Sequence, residues 1–238
     1  MSIRFSNTFI LRKLHQVTGI VPLGIFYFVH IYTNSTAMSG ARVFNEHVQD
    51  IHNMPYLLFI EILGIFVPLL FHSVYGIIIS REARVNVGHY GYARNWFYII
   101  QRISGAFLFF FLIFHILNFR FGMIPGLNTT PVAGHADLAY SIVANEFKSD
   151  AIFFVYVLGV LATAWHLAYG FFLFAIDWGI VIGEKAQKVA LYASLALAVF
   201  LGVVGINAAA AFVTKCGLLP QALCEQAEEK KIVTPARF

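Results

Sequence analysis

Charge is scarce in this chain. Asp, Glu, Lys and Arg make up 12% of its 238 residues, against about 25% in an ordinary soluble domain. Hydrophobic residues reach 59%, aromatics 16%, and the mean hydropathy is +0.74. That balance excludes a soluble domain and identifies an integral membrane protein. Also lacking are a Gly/Ser linker, a block of like charge and a low-complexity tract, so nothing divides the chain into modules. The net charge of +4 does not imply a nucleic-acid partner, because the basic residues cluster beside apolar runs. No cleavable leader is evident either. "SIRFSNTFILRKLH" carries charges throughout and leads straight into a long apolar run, so the N-terminus is expected to stay on the mature chain.

Long apolar runs are what the chain does have. Five of them, roughly 14–32, 56–79, 96–119, 151–176 and 189–213, approach the ~20 helical residues that cross a hydrocarbon core. The expectation is an all-α fold, a five-helix transmembrane bundle forming one domain over residues 1–238. The loops 34–55 and 120–150 are long enough for short surface helices. Nine Lys and Arg, among them Arg12, Lys13, Arg81 and Arg102, fall at one set of span ends. Only Arg42, Arg120, Lys148 and Lys215 fall at the other. The positive-inside rule then puts the N-terminus in the cytoplasm and the C-terminus outside.

Nine histidines occur, and four lie within spans: His30, His72, His115 and His166, one in each of the first four. An ionisable ring in a membrane helix is costly and marks a functional position. With about 1.5 Å of rise per residue, His30 and His115 lie roughly 10 Å outward of mid-helix, and His72 and His166 about 3–6 Å inward. The rings therefore sort into two pairs, on two levels roughly 13–17 Å apart along the membrane normal. Two imidazoles facing each other in a dry bundle suit a six-coordinate haem iron, and two stacked haems form an electron path. A structural zinc site would gather four ligands around one ion, whereas these split between two depths. A transporter built on inverted repeats or broken helices has no counterpart in the pattern, although a haem-free proton relay through the four rings remains the rival.

"FHSVYGIII" and "WHLAYGFFL" repeat one arrangement: His72 and His166, each followed after three residues by a tyrosine and after four by Gly76 or Gly170. Residue i+4 shares the helical face of residue i. Each glycine is therefore expected to leave room for a flat macrocycle held by its histidine, although small residues also serve close helix packing.

The first four spans resemble the single-chain dihaem cytochrome b anchor of succinate:quinone oxidoreductases (succinate dehydrogenases and fumarate reductases) of the menaquinone type. The likeness lies in "RKLHQVTGIVPLGIFYFVH", "VPLLFHSVYGIII", "NVGHYGYARNWFYIIQRISG" and "HLAYGFFLFAIDWG". It implies two haem b groups, with His72 and His166 holding an inner one of higher potential and His30 and His115 an outer one of lower potential. It also implies cytoplasmic flavoprotein and iron–sulfur partner subunits, quinone as the membrane substrate, and a bacterial cytoplasmic membrane location. Dihaem anchors of hydrogenases or nitrate reductases are the nearest alternative, and the Arg94-Asn95-Trp96 loop speaks against them.

Propionates need donors. Arg102 and Ser104 precede His115 by 13 and 11 residues, about 17–20 Å inward and so near the inner haem's edge. The resemblance assigns Gln16 a similar role. Glu61, 11 residues before His72, lies near the outer level and is the candidate for proton exchange with a quinol; Glu46 in the preceding loop is the alternative. Some relatives carry a glutamate two residues before the fourth histidine, where this chain has Ala164. Their compensating proton route is then expected to be missing or built differently. Cys216 and Cys224 could close a disulfide on the outer side.

Overall fold

The computed structural model describes residues 2–82, 84–127, 130–214 and 217–218, with side chains from Thr8 onward. Among these residues every element is helical, without a strand. Five helical stretches are long and apolar enough to cross a membrane: Thr8–Ser39, Leu57–Arg81, Ala93–Arg120, Asp150–Asp177 and Glu184–Thr214. They overrun the apolar runs at nearly every end. Hydropathy stops at the first charges, but helices continue through residues such as Arg12 and Lys13 whose long stems reach the headgroups. Cys216 and Cys224 lie outside the described residues.

Two spans depart from regular α-helix beside a proline. The first is split into Ser2–Ile20 and Pro22–Ser35, because Pro22 has no N–H to donate. Val21 N still donates to Val17 O (2.8 Å) and Ile25 N to Val21 O (3.1 Å), which carries the helix through the proline. In the second span a π-helical stretch, Ile60–Phe66, precedes Pro68. Another, Ile116–Arg120, follows His115 directly. Such widened turns re-aim side chains and concentrate at functional positions. Gly122, at φ +62°, ends the third span in a left-handed conformation that favours glycine.

The fourth span packs most extensively on the fifth and next on the third; the first packs on the second. Side chains such as Leu70 (65% exposed), Phe110 (71%) and Val199 (68%) face outward, as lipid-facing groups must. The largest buried cluster caps one end. There the helices Ala41–His52 and Ala139–Glu146 lay Phe44, Val48, Ile142 and Val143 over Phe119, Tyr156 and Phe212. The two long loops are thus a lid fused to the bundle by apolar burial.

Candidate functional site

The four span histidines meet two by two. His72 and His166 have ring centres 6.2 Å apart with planes at 88°; His30 and His115 stand 5.8 Å apart at 84°. Each pair joins alternate spans, the second with the fourth and the first with the third.

The inner rings are fixed by main-chain carbonyls. His72 Nδ1 donates to the His15 carbonyl at 2.8 Å, and His166 Nδ1 lies 3.2 Å from the Gln101 carbonyl and 3.2 Å from Ser104 Oγ. A helical carbonyl points towards the residue four positions on, whose side chain normally screens it. Here those residues are Gly19 and Gly105. A Cβ at Gly19 would run into the His72 ring, and one at Gly105 would stand 2.9 Å from His166 Cε1. The missing side chain exposes the carbonyl and admits the imidazole. With Nδ1–H committed to an acceptor, Nε2 is the free, unprotonated nitrogen.

The packing is reciprocal. A Cβ at Gly76 would stand 3.0 Å from His15 Cε1, and His15 stacks on His72 with centres 4.1 Å apart and planes 9° from parallel. Likewise the group nearest Gly170 is Gln101 Nε2 at 3.8 Å, which donates to the His166 carbonyl at 2.9 Å. Spans one and two therefore interlock through His15/Gly19 against His72/Gly76. Spans three and four repeat the arrangement with Gln101/Gly105 against His166/Gly170. The space over Gly76 thus receives a neighbouring imidazole, where the H-x-x-Y-G pattern suggested room for a macrocycle. Gly19, Gly105, His15 and Gln101 were missed as site residues. The signal was present: a polar side chain four residues before a glycine occurs at His15 and Gln101 just as at His72 and His166.

The remaining candidates separate. Ser104 is buried and also bonds the Gln101 carbonyl at 3.0 Å, so it serves the His166 ring. Arg102 stacks its guanidinium on Tyr98 at 3.3 Å and keeps a buried Nε without a hydrogen-bond partner. Gln16 is engaged elsewhere, accepting from Trp178 Nε1 at 2.8 Å. Beside it Lys13 pairs with Asp177 at 2.5 Å. Glu61 is not a lone carboxylate. It is ion-paired with Arg120 at 2.8 Å, and their side chains are 16% and 33% exposed. Both residues sit in the π-helical stretches of their spans. Glu46 pairs with Arg42 one turn earlier at an exposed position. Ala164, 2% exposed, packs with Leu201 of the fifth span, which leaves no room for a longer side chain there.

Residues 80–205 match the family described as succinate dehydrogenase/fumarate reductase transmembrane subunit. The chain is also 35% identical over 208 residues to the succinate dehydrogenase cytochrome b558 subunit of Bacillus subtilis (strain 168), covering 87% of this chain and 98% of that one. This chain belongs to the succinate dehydrogenase/fumarate reductase transmembrane subunit family. It is a multi-pass membrane protein, in keeping with its five spans.

The residues of this family member fit haem. Two imidazoles sharing one six-coordinate iron have ring centres roughly 6 Å apart, close to both separations measured here. Three of the four Nδ1 atoms face an oxygen, which leaves Nε2 for a metal. Near the His72 and His166 pair, among the described residues, His15 Nδ1 and Arg102 Nε are buried without partners, and the Arg102 N–H is a donor that would complement an anionic propionate.

Proposed function

We propose that the chain is a dihaem membrane anchor passing electrons between cytoplasmic flavoprotein and iron–sulfur subunits and a membrane quinone, in the menaquinone class. The observation that carries this reading is the meeting of four imidazoles in two separate pairs. His72 and His166 would hold an inner haem b and His30 and His115 an outer one. When bound, the haems supply one-electron transfer through the bilayer. The protein's part is to keep Nε2 of each ring unprotonated, to hold the rings against rotation and to exclude water.

The excess of Lys and Arg at the inner span ends supports a cytoplasmic N-terminus. The soluble subunits would then dock on the face carrying the Arg12–Glu82 and Lys13–Asp177 pairs. Gly76 and Gly170 contribute by admitting His15 and Gln101, and Gln16 by fixing the inner face through Trp178. Arg102 would meet an inner propionate.

Reducing a quinone takes two electrons and two protons. We assign the proton exchange to Glu61. Arg120 holds its carboxylate in place, and the Arg120 Nε, buried and unpartnered, is a donor available to a quinone carbonyl. The deciding experiment is a reduced-minus-oxidised spectrum with haem quantitation on the purified chain. Two b haems per chain are expected, and a colourless protein would end the proposal. Co-purification of a flavoprotein tests the partners.

A further inference from the structure

The inner imidazoles each meet a main-chain carbonyl, to which His166 adds the Ser104 hydroxyl; the outer ones meet no carbonyl among the described residues. Among the described residues no hydrogen bond reaches the His30 ring. His115 Nδ1 instead faces the hydroxyl of Tyr156 in the fourth span, at 3.4 Å. Tyr156 is 6% exposed and is wedged between Phe111, Phe119 and Phe147, so its ring has no freedom to swing away.

Two further polar groups share that dry wall. Asn118 lies one turn beyond His115 and is 0% exposed. Among the described residues neither its amide oxygen nor its nitrogen finds a hydrogen-bond partner. Glu146, from the capping helix Ala139–Glu146, is 5% exposed and acts electrostatically on the Tyr156 hydroxyl. Buried amides and carboxylates are retained where they hold something in register, since apolar replacements would pack at lower cost.

We propose that Tyr156 is the positioning residue of His115, with Asn118 as the acceptor that orients its hydroxyl and Glu146 closing the group from the lid. When His115 presents Nε2 to a metal, Nδ1 keeps its proton and donates to Tyr156 Oη. The Tyr156 O–H must then point elsewhere; Asn118, one turn beyond His115 and fully buried, would offer its Oδ1 as that acceptor. An imidazole whose Nδ1–H is accepted is the more basic ligand and stabilises oxidised iron. The role rests on the outer pair holding haem. His115 would thus be tuned by a side chain that substitution can remove, whereas the inner rings are tuned by main chain that it cannot.

The test is Tyr156→Phe in the full chain, which keeps the packed ring and deletes the hydroxyl. Haem content, redox titration and the low-spin EPR signal are read, and the outer wave is the one lost in His115→Ala. Two haems should remain, with the outer midpoint raised, its EPR signal shifted and the inner wave unchanged. Asn118→Leu should move the outer midpoint the same way by less. Wild-type outer midpoints and EPR signals in both variants, with both haems present, overturn the role. Loss of the outer haem in Tyr156→Phe would also support the hydroxyl's hold on His115, and an Asn118→Leu midpoint at the wild-type value would then overturn Asn118 as the group that orients it. A wild-type chain lacking a second haem instead overturns the outer-pair assignment beneath it.

Discussion

The His72 and His166 level of the bundle repeats one main-chain fitting, with Ser104 added at His166, and the His30 and His115 level does not. Inside, His72 and His166 meet the same fitting twice: a carbonyl bared by glycine, with a polar side chain laid over the reciprocal glycine. Outside, His115 has a tyrosine, His30 has no such group among the described residues, and an ion pair spans two π-helical turns. Main-chain acceptors do not titrate or reorient, which suits a fixed conduit. Side-chain partners can be removed by substitution, and under the proposed function this is the end assigned to proton exchange. The comparison teaches that one helical bundle can hold paired imidazoles in two ways, by main-chain carbonyls and by a side-chain hydroxyl.

The sharpest way to break the inner symmetry is at its glycines. Gly19→Ala should destabilise the bundle by about 1–3 kcal/mol through overpacking on His72 and should lower haem retention. Gly170→Ala, whose nearest neighbour is the end of the Gln101 side chain, should stay within about 0.5 kcal/mol of wild type. Thermal loss of haem absorbance measures both; equal effects would dissolve the distinction drawn here. At the outer level, Glu61→Gln should reduce quinone-linked turnover by about 10²-fold, the lower range for a lost acid–base group, while dye-linked succinate oxidation continues. Turnover at the wild-type rate would remove Glu61 from proton exchange. With Ala164 in place of a transmembrane carboxylate, turnover in proteoliposomes should generate a membrane potential, and electroneutral turnover would contradict an outer quinone site. The smallest effect belongs to Glu46→Gln. An exposed i,i+4 pair is worth about 0.3–0.5 kcal/mol, so stability should barely change and quinone turnover should not.

The five spans were legible because lipid demands long apolar runs, and the histidine pairing was legible because helical rise converts sequence position into depth. Side-chain partners were not. Depth says nothing about azimuth, so neither the Gln16–Trp178 bond nor the Arg120 partner of Glu61, 59 residues away, follows from sequence position. The π-helical turns shift the facing of residues beyond them, which a regular 3.6-residue period cannot anticipate. The H-x-x-Y-G pattern at His72 and Gly76 specifies one helix face but not the neighbour laid against it. Its purpose lies in the neighbour, where His15 occupies the space.

Redox titration of the purified chain beside His166→Ala and His115→Ala tests the two-level account most directly. Wild type should titrate as two one-electron b-haem waves, with each variant losing a different wave and keeping the other near its wild-type midpoint. A single wave in wild type, or the same wave lost in both variants, would contradict it.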